Sequence, residues 1–174
     1  MSAPPRILPI EPGTRPELAE IEAKTLTERG RVSLLYQVLL NSPAIARGWE
    51  GLLTAVRNKG SLPADLREMV ILRVAILNRA PYEFDAHVPH AQKAGVADDK
   101  IAALREAKIG AMFSEQERTV LRLTEVMTRD IDVPDALFAA VKKHFDEQAM
   151  IDLLVTIAAY NMVSRFLVAT QIGH

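Results

Sequence analysis

Between Leu66 and Gly95 the chain reads LREMVILRVAILNRAPYEFDAHVPHAQKAG: an apolar run of helical period, a short break, and a second helix restarted at Ala80-Pro81 and stopped by Gly95. Two successive helices of this kind constrain the fold more than any other feature. Glu68 sits near the start of the first. The second carries Glu83 and His87 four residues apart, on one face, where they can touch or share a substrate. A carboxylate beside an imidazole is a common way to poise a proton-transfer group near neutral pH.

The rest of the chain carries the same punctuation, and no segment reads as a strand. Thr14 and Pro16 open a helix toward Glu28 that Gly30 closes, and Arg31–Leu40 reads as a short apolar helix. Ser42-Pro43 is an N-cap with proline at the first helical position, starting a helix that ends before Gly60. Leu62-Pro63 opens the Leu66 helix. Asp98 is read as the cap of a short segment, Asp99–Ala107, and Ser114-Glu115-Gln116-Glu117 matches a capping box launching a helix through Met127. Val133-Pro134 opens one more, and Glu147–Thr170 supplies the last and longest. The expected fold is all-α, a single compact domain of about eight helices over 14–174, behind an extended proline-rich arm at 1–13.

Composition removes several classes of function. The formal net charge is −1, with Lys and Arg dispersed among acids, so a nucleic-acid partner is not expected. There is no cysteine, which excludes disulfides, thiolate catalysis, Fe–S clusters and thiolate zinc sites. MSAPPRILPIEPG has no apolar stretch of signal-peptide length, and a cytoplasmic location is the expectation. Met150–Ala169 is apolar but interrupted by Asp152, Asn161 and Arg165, so a buried helix is expected there rather than a membrane span. A faint internal repeat aligns Glu68–Asn78 with Ile151–Asn161 without gaps, and the second copy lacks the site residues. Shared apolar periodicity would produce the same likeness.

The segment resembles the carboxymuconolactone decarboxylase and alkylhydroperoxidase D-like superfamily of small all-helical proteins. The peroxidase branch of that superfamily carries Glu-x11-Cys-x2-Cys-x3-His, and here the same spacing reads Glu68-x11-Ala80-x2-Glu83-x3-His87. The Glu and His match, and the cysteines are replaced by Ala80 and Glu83. The similarity runs from NSPAIARGW to YNMVSRFL and is to the cysteine-free, decarboxylase-type branch, in which a Tyr-Glu pair precedes the His. Peroxide reduction through a thiolate and a resolving thiol is excluded, because the chain supplies neither.

The resemblance implies a cofactor-independent lyase, a decarboxylase of a small carboxylated lactone or related unsaturated acid, in the catabolism of aromatic compounds. The conjugated lactone carbonyl is itself the electron sink, so neither an organic cofactor nor a metal is required. The protein must orient the substrate, stabilise developing negative charge and deliver a proton. His87 is the expected acid/base, Glu68 the group that holds its tautomer, and Glu83 a second proton carrier. Tyr82 is a candidate hydrogen-bond donor at the rim, and His90, on nearly the same stripe as His87, a candidate substrate contact. Taken singly, each has a structural reading: Glu68 and Glu83 suit the N-terminal dipole of their helices, and His87 could be a satisfied core histidine. It is their combination at this spacing that points to a site.

A metal site is not expected, since the His87/His90 spacing matches no strong metal signature and Pro89 disturbs the helix between them. Arg31, Arg73 and Arg165 lie in apolar stretches, where each must pair with an acid, reach solvent or clamp a substrate carboxylate. Trp49 reads as core or interface, Phe84, Phe113, Phe138 and Phe145 as core, His144 as solvated, and His174 as terminal. Apolar residues on more than one face of Met150–Ala169 imply a homo-oligomer, and the resemblance implies a trimer or hexamer. Two rival readings stay open: proton-transfer or hydrolytic chemistry on another small organic acid, and a non-catalytic ligand-binding or assembly protein of the same fold. Convergence of Glu68, Glu83 and His87 favours an enzyme, and dispersion into solvent favours the binding protein.

Overall fold

In the computed structural model, which describes residues 4–173, the chain is helical throughout, with no strand among the described residues. The α-helices are α1 (Ala19–Arg29), α2 (Leu34–Leu39), α3 (Pro43–Thr54), α4 (Ala64–Leu77), α5 (Pro81–Lys93), α6 (Asp98–Ala103), α7 (Glu115–Arg129), α8 (Asp135–Lys142) and α9 (Glu147–Thr170). A 3-10 turn, Pro16–Leu18, leads into α1, and a π-helical stretch, Ala55–Lys59, extends α3. The chain divides into two compact units. One comprises the chain up to Lys59 with the stretch from Leu167 onward, and the other is Gly60–Phe166.

The second unit is built around α4. Every residue from Glu68 to Ala75 is buried, so this helix is covered on all sides, as a helix apolar all round must be. It packs against α5 and α7, α7 carries α8, and α6 folds back on α5. Each fully buried large apolar side chain here contributes about 1.5–3 kcal/mol relative to exposure. Asp152 of α9, one of the polar breaks in its apolar sequence, accepts from the Ser61 backbone N–H at 2.7 Å and the Ser61 hydroxyl at 2.8 Å, fixing the entry to α4. The two asparagines that end the repeated segments meet, Asn78 Nδ2 donating to Asn161 Oδ1 at 2.9 Å.

The first unit holds the polar cluster Lys24, Arg29, Glu50 and Thr54. The fully buried Glu50 pairs with Lys24 Nζ at 2.8 Å and accepts from the Thr54 hydroxyl at 2.5 Å. Burial pushes the Glu50 carboxyl up, but Lys24, Thr54 and Arg29 together hold it below its ordinary range. Residues 4–13 contain no helix; Arg6 N–H donates to Thr170 O at 2.8 Å and Ile10 N–H to Gln37 O at 3.0 Å.

By length and apolar composition alone, α9 could cross a bilayer. It does not present one apolar surface all round, however. One side, including Leu153, Ile157, Tyr160 and Val163, is buried, whereas Ile151, Arg165 and Met162 face outward.

The capping box at Ser114 forms fully: the Glu117 N–H donates to the Ser114 hydroxyl at 3.2 Å, and the Ser114 N–H to the Glu117 carboxylate at 2.6 Å. Ser114→Ala is expected to cost about 1 kcal/mol, a fall of roughly 2–4 °C in Tm for a chain of this size. An unchanged melting curve would contradict that role.

Several expectations are corrected. Asp98 is not the cap of α6: Ala97 holds that position, and the Asp98 carboxylate instead accepts from Gln92 Nε2 at 2.9 Å. The helix also stops at Ala103, and the carbonyls of Leu104 and Glu106 beyond it accept from Arg73 instead. Ser42 precedes α3 without a side-chain capping bond. Phe138 is exposed and Phe145 half-buried, since the short α8 buries only Val141; Phe84, Phe113 and Trp49 are buried. The expectation for His174 lies outside the described residues.

Candidate active site

Three side chains expected from the sequence come together in the second unit. Glu68 projects from the second turn of α4, and Glu83 and His87 from successive turns of α5. All are buried, at 2%, 5% and 5% exposure respectively. His87 Nδ1 lies 2.6 Å from Glu68 Oε2, and His87 Nε2 lies 3.3 Å from Glu83 Oε1. The imidazole is therefore held between two carboxylates, one on each ring nitrogen. The other oxygen of Glu68 faces the Arg67 guanidinium at 3.4 Å.

The local sequence explains the arrangement. Ala80 N–H donates to Ala75 O, Arg79 takes a left-handed backbone (φ 56°), and Pro81 starts α5, so α5 returns along α4 after a tight turn. Spacing of four on α5 then stacks Glu83 against His87, and the antiparallel return brings Glu68 to the other side of the ring. Pro89 does not end the helix, which runs on to Lys93.

Two histidine neighbours complete the surroundings. The Tyr160 ring of α9, 1% exposed, meets the His87 ring edge-on, centroids 5.1 Å apart at 89°. Sequence reasoning missed Tyr160. The available signal was an aromatic with a polar tip inside an otherwise apolar buried helix, a residue that needs a polar partner. The exposed His90 ring lies 5.4 Å from that of His87, centroid to centroid. Tyr82 is half-buried in the first turn of α5.

Of the three arginines singled out, Arg31 and Arg165 are exposed. Arg73 is buried and committed to structure: it pairs with Glu125 and donates to the carbonyls of Leu104 and Glu106, both at 2.7 Å.

Burial pushes the His87 pKa down, but the hydrogen bonds and charges of Glu68 and Glu83 outweigh it, so imidazolium persists above its ordinary range. The sign for stability follows. A pKa raised on folding gives stabilisation that is complete below the unfolded value of about 6.5. That stabilisation is lost as pH rises through the higher folded value. Glu68→Gln removes both a hydrogen bond and a charge from Nδ1, so the His87 pKa should fall in an NMR titration. An unchanged midpoint would show that Glu68 does not tune the ring.

Chemically, the three groups can hold and pass a proton: Glu68 on Nδ1 can fix the ring's orientation, leaving Nε2 able to exchange a proton with Glu83. The absence of cysteine leaves no thiol to take part.

Comparison with known proteins supports the same architecture. The uncharacterized protein YdfG of Bacillus subtilis (strain 168) is 29% identical over 113 residues, covering 64% of this chain and 77% of that protein. The uncharacterized protein YnjA of Escherichia coli (strain K12) is 29% identical over 112 residues, with 63% of this chain matching 61% of its length. Among solved structures, an alkylhydroperoxidase AhpD core, the peroxidase-related protein of Ralstonia eutropha JMP134, superposes with a TM-score of 0.83 at 17% identity, covering 99% of this chain and 93% of that one. The debrominase Bmp8, in complex with 2,3,4-tribromopyrrole, gives a TM-score of 0.81 at 17% identity, covering 98% and 92%. At those identities the likeness is one of fold. Residues 43–126, which hold Glu68, Glu83 and His87, match the carboxymuconolactone decarboxylase family. That match stops short of half of the chain, and over the whole chain the likeness to the alkylhydroperoxidase D-like structures is one of fold.

Proposed function

We propose that this protein is a cofactor-independent lyase that decarboxylates a small carboxylated lactone or a related unsaturated acid by acid/base proton transfer. The observation that carries the reading is the buried imidazole of His87 bracketed by Glu68 and Glu83. A binding or assembly protein has no need of two buried carboxylates on one histidine, and burying such charges is costly unless they are paired.

The reaction balances with the residues present. The bond between the substrate carboxylate and its carbon breaks, carbon dioxide leaves, and the electron pair passes into the conjugated carbonyl as an enolate. The His87 imidazolium supplies a proton from Nε2 through Glu83 to the α-carbon of the enolate, which ends the conjugation of the lactone, and one proton from solvent restores the imidazolium. Tyr82 is a hydrogen-bond donor toward the substrate, and its half-buried position suits the rim of the site. Proton transfer or hydrolysis on another small organic acid would use the same three groups.

Purified protein should release carbon dioxide from carboxymuconolactone or a related carboxylated lactone, followed by loss of the conjugated-lactone absorbance. Failure across a panel of such acids, with the protein folded, would overturn the decarboxylase reading.

We also propose a homo-oligomer, a trimer or hexamer. Exposed Ile151, Val155 and Met162, with Ala158 between them, form a stripe on α9 at the alternating four- and three-residue spacing of a helix–helix seam. Light scattering at micromolar concentration should give a multiple of the chain mass, reduced in the Ile151→Glu, Met162→Glu double variant. A monomeric mass for the wild type would refute this.

A further inference from the structure

Both nitrogens of His87 are taken by carboxylates, and Tyr160 stands edge-on to the ring. Each turnover nevertheless consumes a proton that must come from solvent. We propose that His90 is the port through which the buried triad exchanges protons with water. This rests on the proton-transfer reading of the triad and adds the route by which it is recharged.

The geometry singles out His90. It lies three residues beyond His87 on the same face of α5, its ring 5.4 Å from the His87 ring, and it is exposed while His87 is buried. That separation suits transfer through one bridging water when a carboxylate bond to the His87 ring opens. Its chemistry also fits, because an imidazole titrates where the triad works and can both accept and release a proton near neutrality. The other groups around His87 do not offer this. From α4, Glu68 is buried and its second oxygen faces Arg67. From α9, Tyr160 is a buried phenol. On α5, Glu83 is buried within the triad and Tyr82 is a phenol, a group whose ordinary pKa of about 10 suits it poorly to carrying protons at pH 7. Asp85 is exposed, but it lies two residues from His87, toward the opposite side of the helix, and faces Arg105 at 3.6 Å.

The test reads proton exchange rather than turnover. In uniformly 15N-labelled protein, exchange of the His87 ring N–H with water is measured in wild type and in His90→Gln, which keeps a polar side chain but cannot shuttle. Exchange should slow at least about tenfold in the variant, and free imidazole in the buffer should restore it, as expected when a proton shuttle is replaced by a mobile one. If the wild-type signal is lost to rapid exchange, it should appear in the variant. Equal rates, faster exchange in the variant, or a signal missing from both would each overturn the assignment. A His90→Phe variant with the same slowing would show that the lost imidazole, not the glutamine, is responsible; normal exchange in His90→Phe would overturn the proposal. These rates do not depend on any substrate. A chain that fails to decarboxylate but shows the exchange effect defeats the lyase reading alone, and one that turns over normally with unaltered exchange defeats the port alone.

Discussion

His87→Ala is expected to reduce turnover by about two to four orders of magnitude, the usual loss when a positioned acid/base group is removed. His87 lies within reach of both carboxylates, at 2.6 Å from Glu68 and 3.3 Å from Glu83. Without it, Glu83 has no internal source of protons and Glu68 has no ring to orient. The alanine variant also leaves two buried acids without the cation they share, at a cost to stability. His87→Gln therefore serves as its companion: glutamine refills much of the space and offers an amide donor, but cannot carry a proton. Both variants should retain helical circular dichroism and lose activity to a similar extent. Near-wild-type turnover in either, on a substrate the parent protein decarboxylates, would defeat the assignment. Glu68→Gln should fall between, since it keeps size and a hydrogen-bonding side chain but removes the charge.

The largest stability effect is expected away from the site, at Arg73. This side chain is 1% exposed, and Glu125, its partner, is 8% exposed. Arg73 Nε donates to Glu125 at 3.1 Å, and one terminal nitrogen donates to two main-chain carbonyls at 2.7 Å. Removing one partner of a buried ion pair strands the other, at a cost of about 3–5 kcal/mol. The remaining cation near Glu125 is Arg122, a well-exposed side chain at 3.5 Å, which water screens. Arg73→Ala should therefore lower Tm by roughly 6–20 °C, taking about 2–4 °C per kcal/mol for a chain of this length. Arg73→Lys should recover only part of the loss, because an ammonium cannot reproduce the planar fork that reaches a carboxylate and two carbonyls together. A drop of less than about 3 °C in the alanine variant would mean that Glu125 finds another partner or protonates at little cost.

Much of this was readable along the chain, because the relevant signals are local. Pro43, Pro81 and the Ser114 box announce helix starts through backbone geometry that each residue imposes on its neighbours. The Glu83–His87 pair was equally legible, since a separation of four on one helix fixes proximity whatever the rest of the fold does. Features settled by distant segments were not. Asp98 looks like a cap by residue type, yet Gln92 claims its carboxylate and Ala97 takes the cap position. Phe138 looks like core by hydrophobicity, yet α8 is too short and too peripheral to bury it. Arg73 has the same sequence signature as Arg31 and Arg165, and only the arrival of α7 with Glu125 separates a structural arginine from two exposed ones.

By itself, the sequence determined the all-helical class, the exclusion of thiol chemistry, and a carboxylate paired with an imidazole on one helix face, because composition and period are properties of the chain alone. That Glu68 sits on the far side of the same ring, that Tyr160 stands edge-on to it, and that His90 is exposed while His87 is buried were decided only by tertiary structure. Those relations join residues up to 73 positions apart (87 to 160), and no local rule orders such contacts. They arise from how α4, α5 and α9 pack, which is set by the burial of many apolar side chains at once.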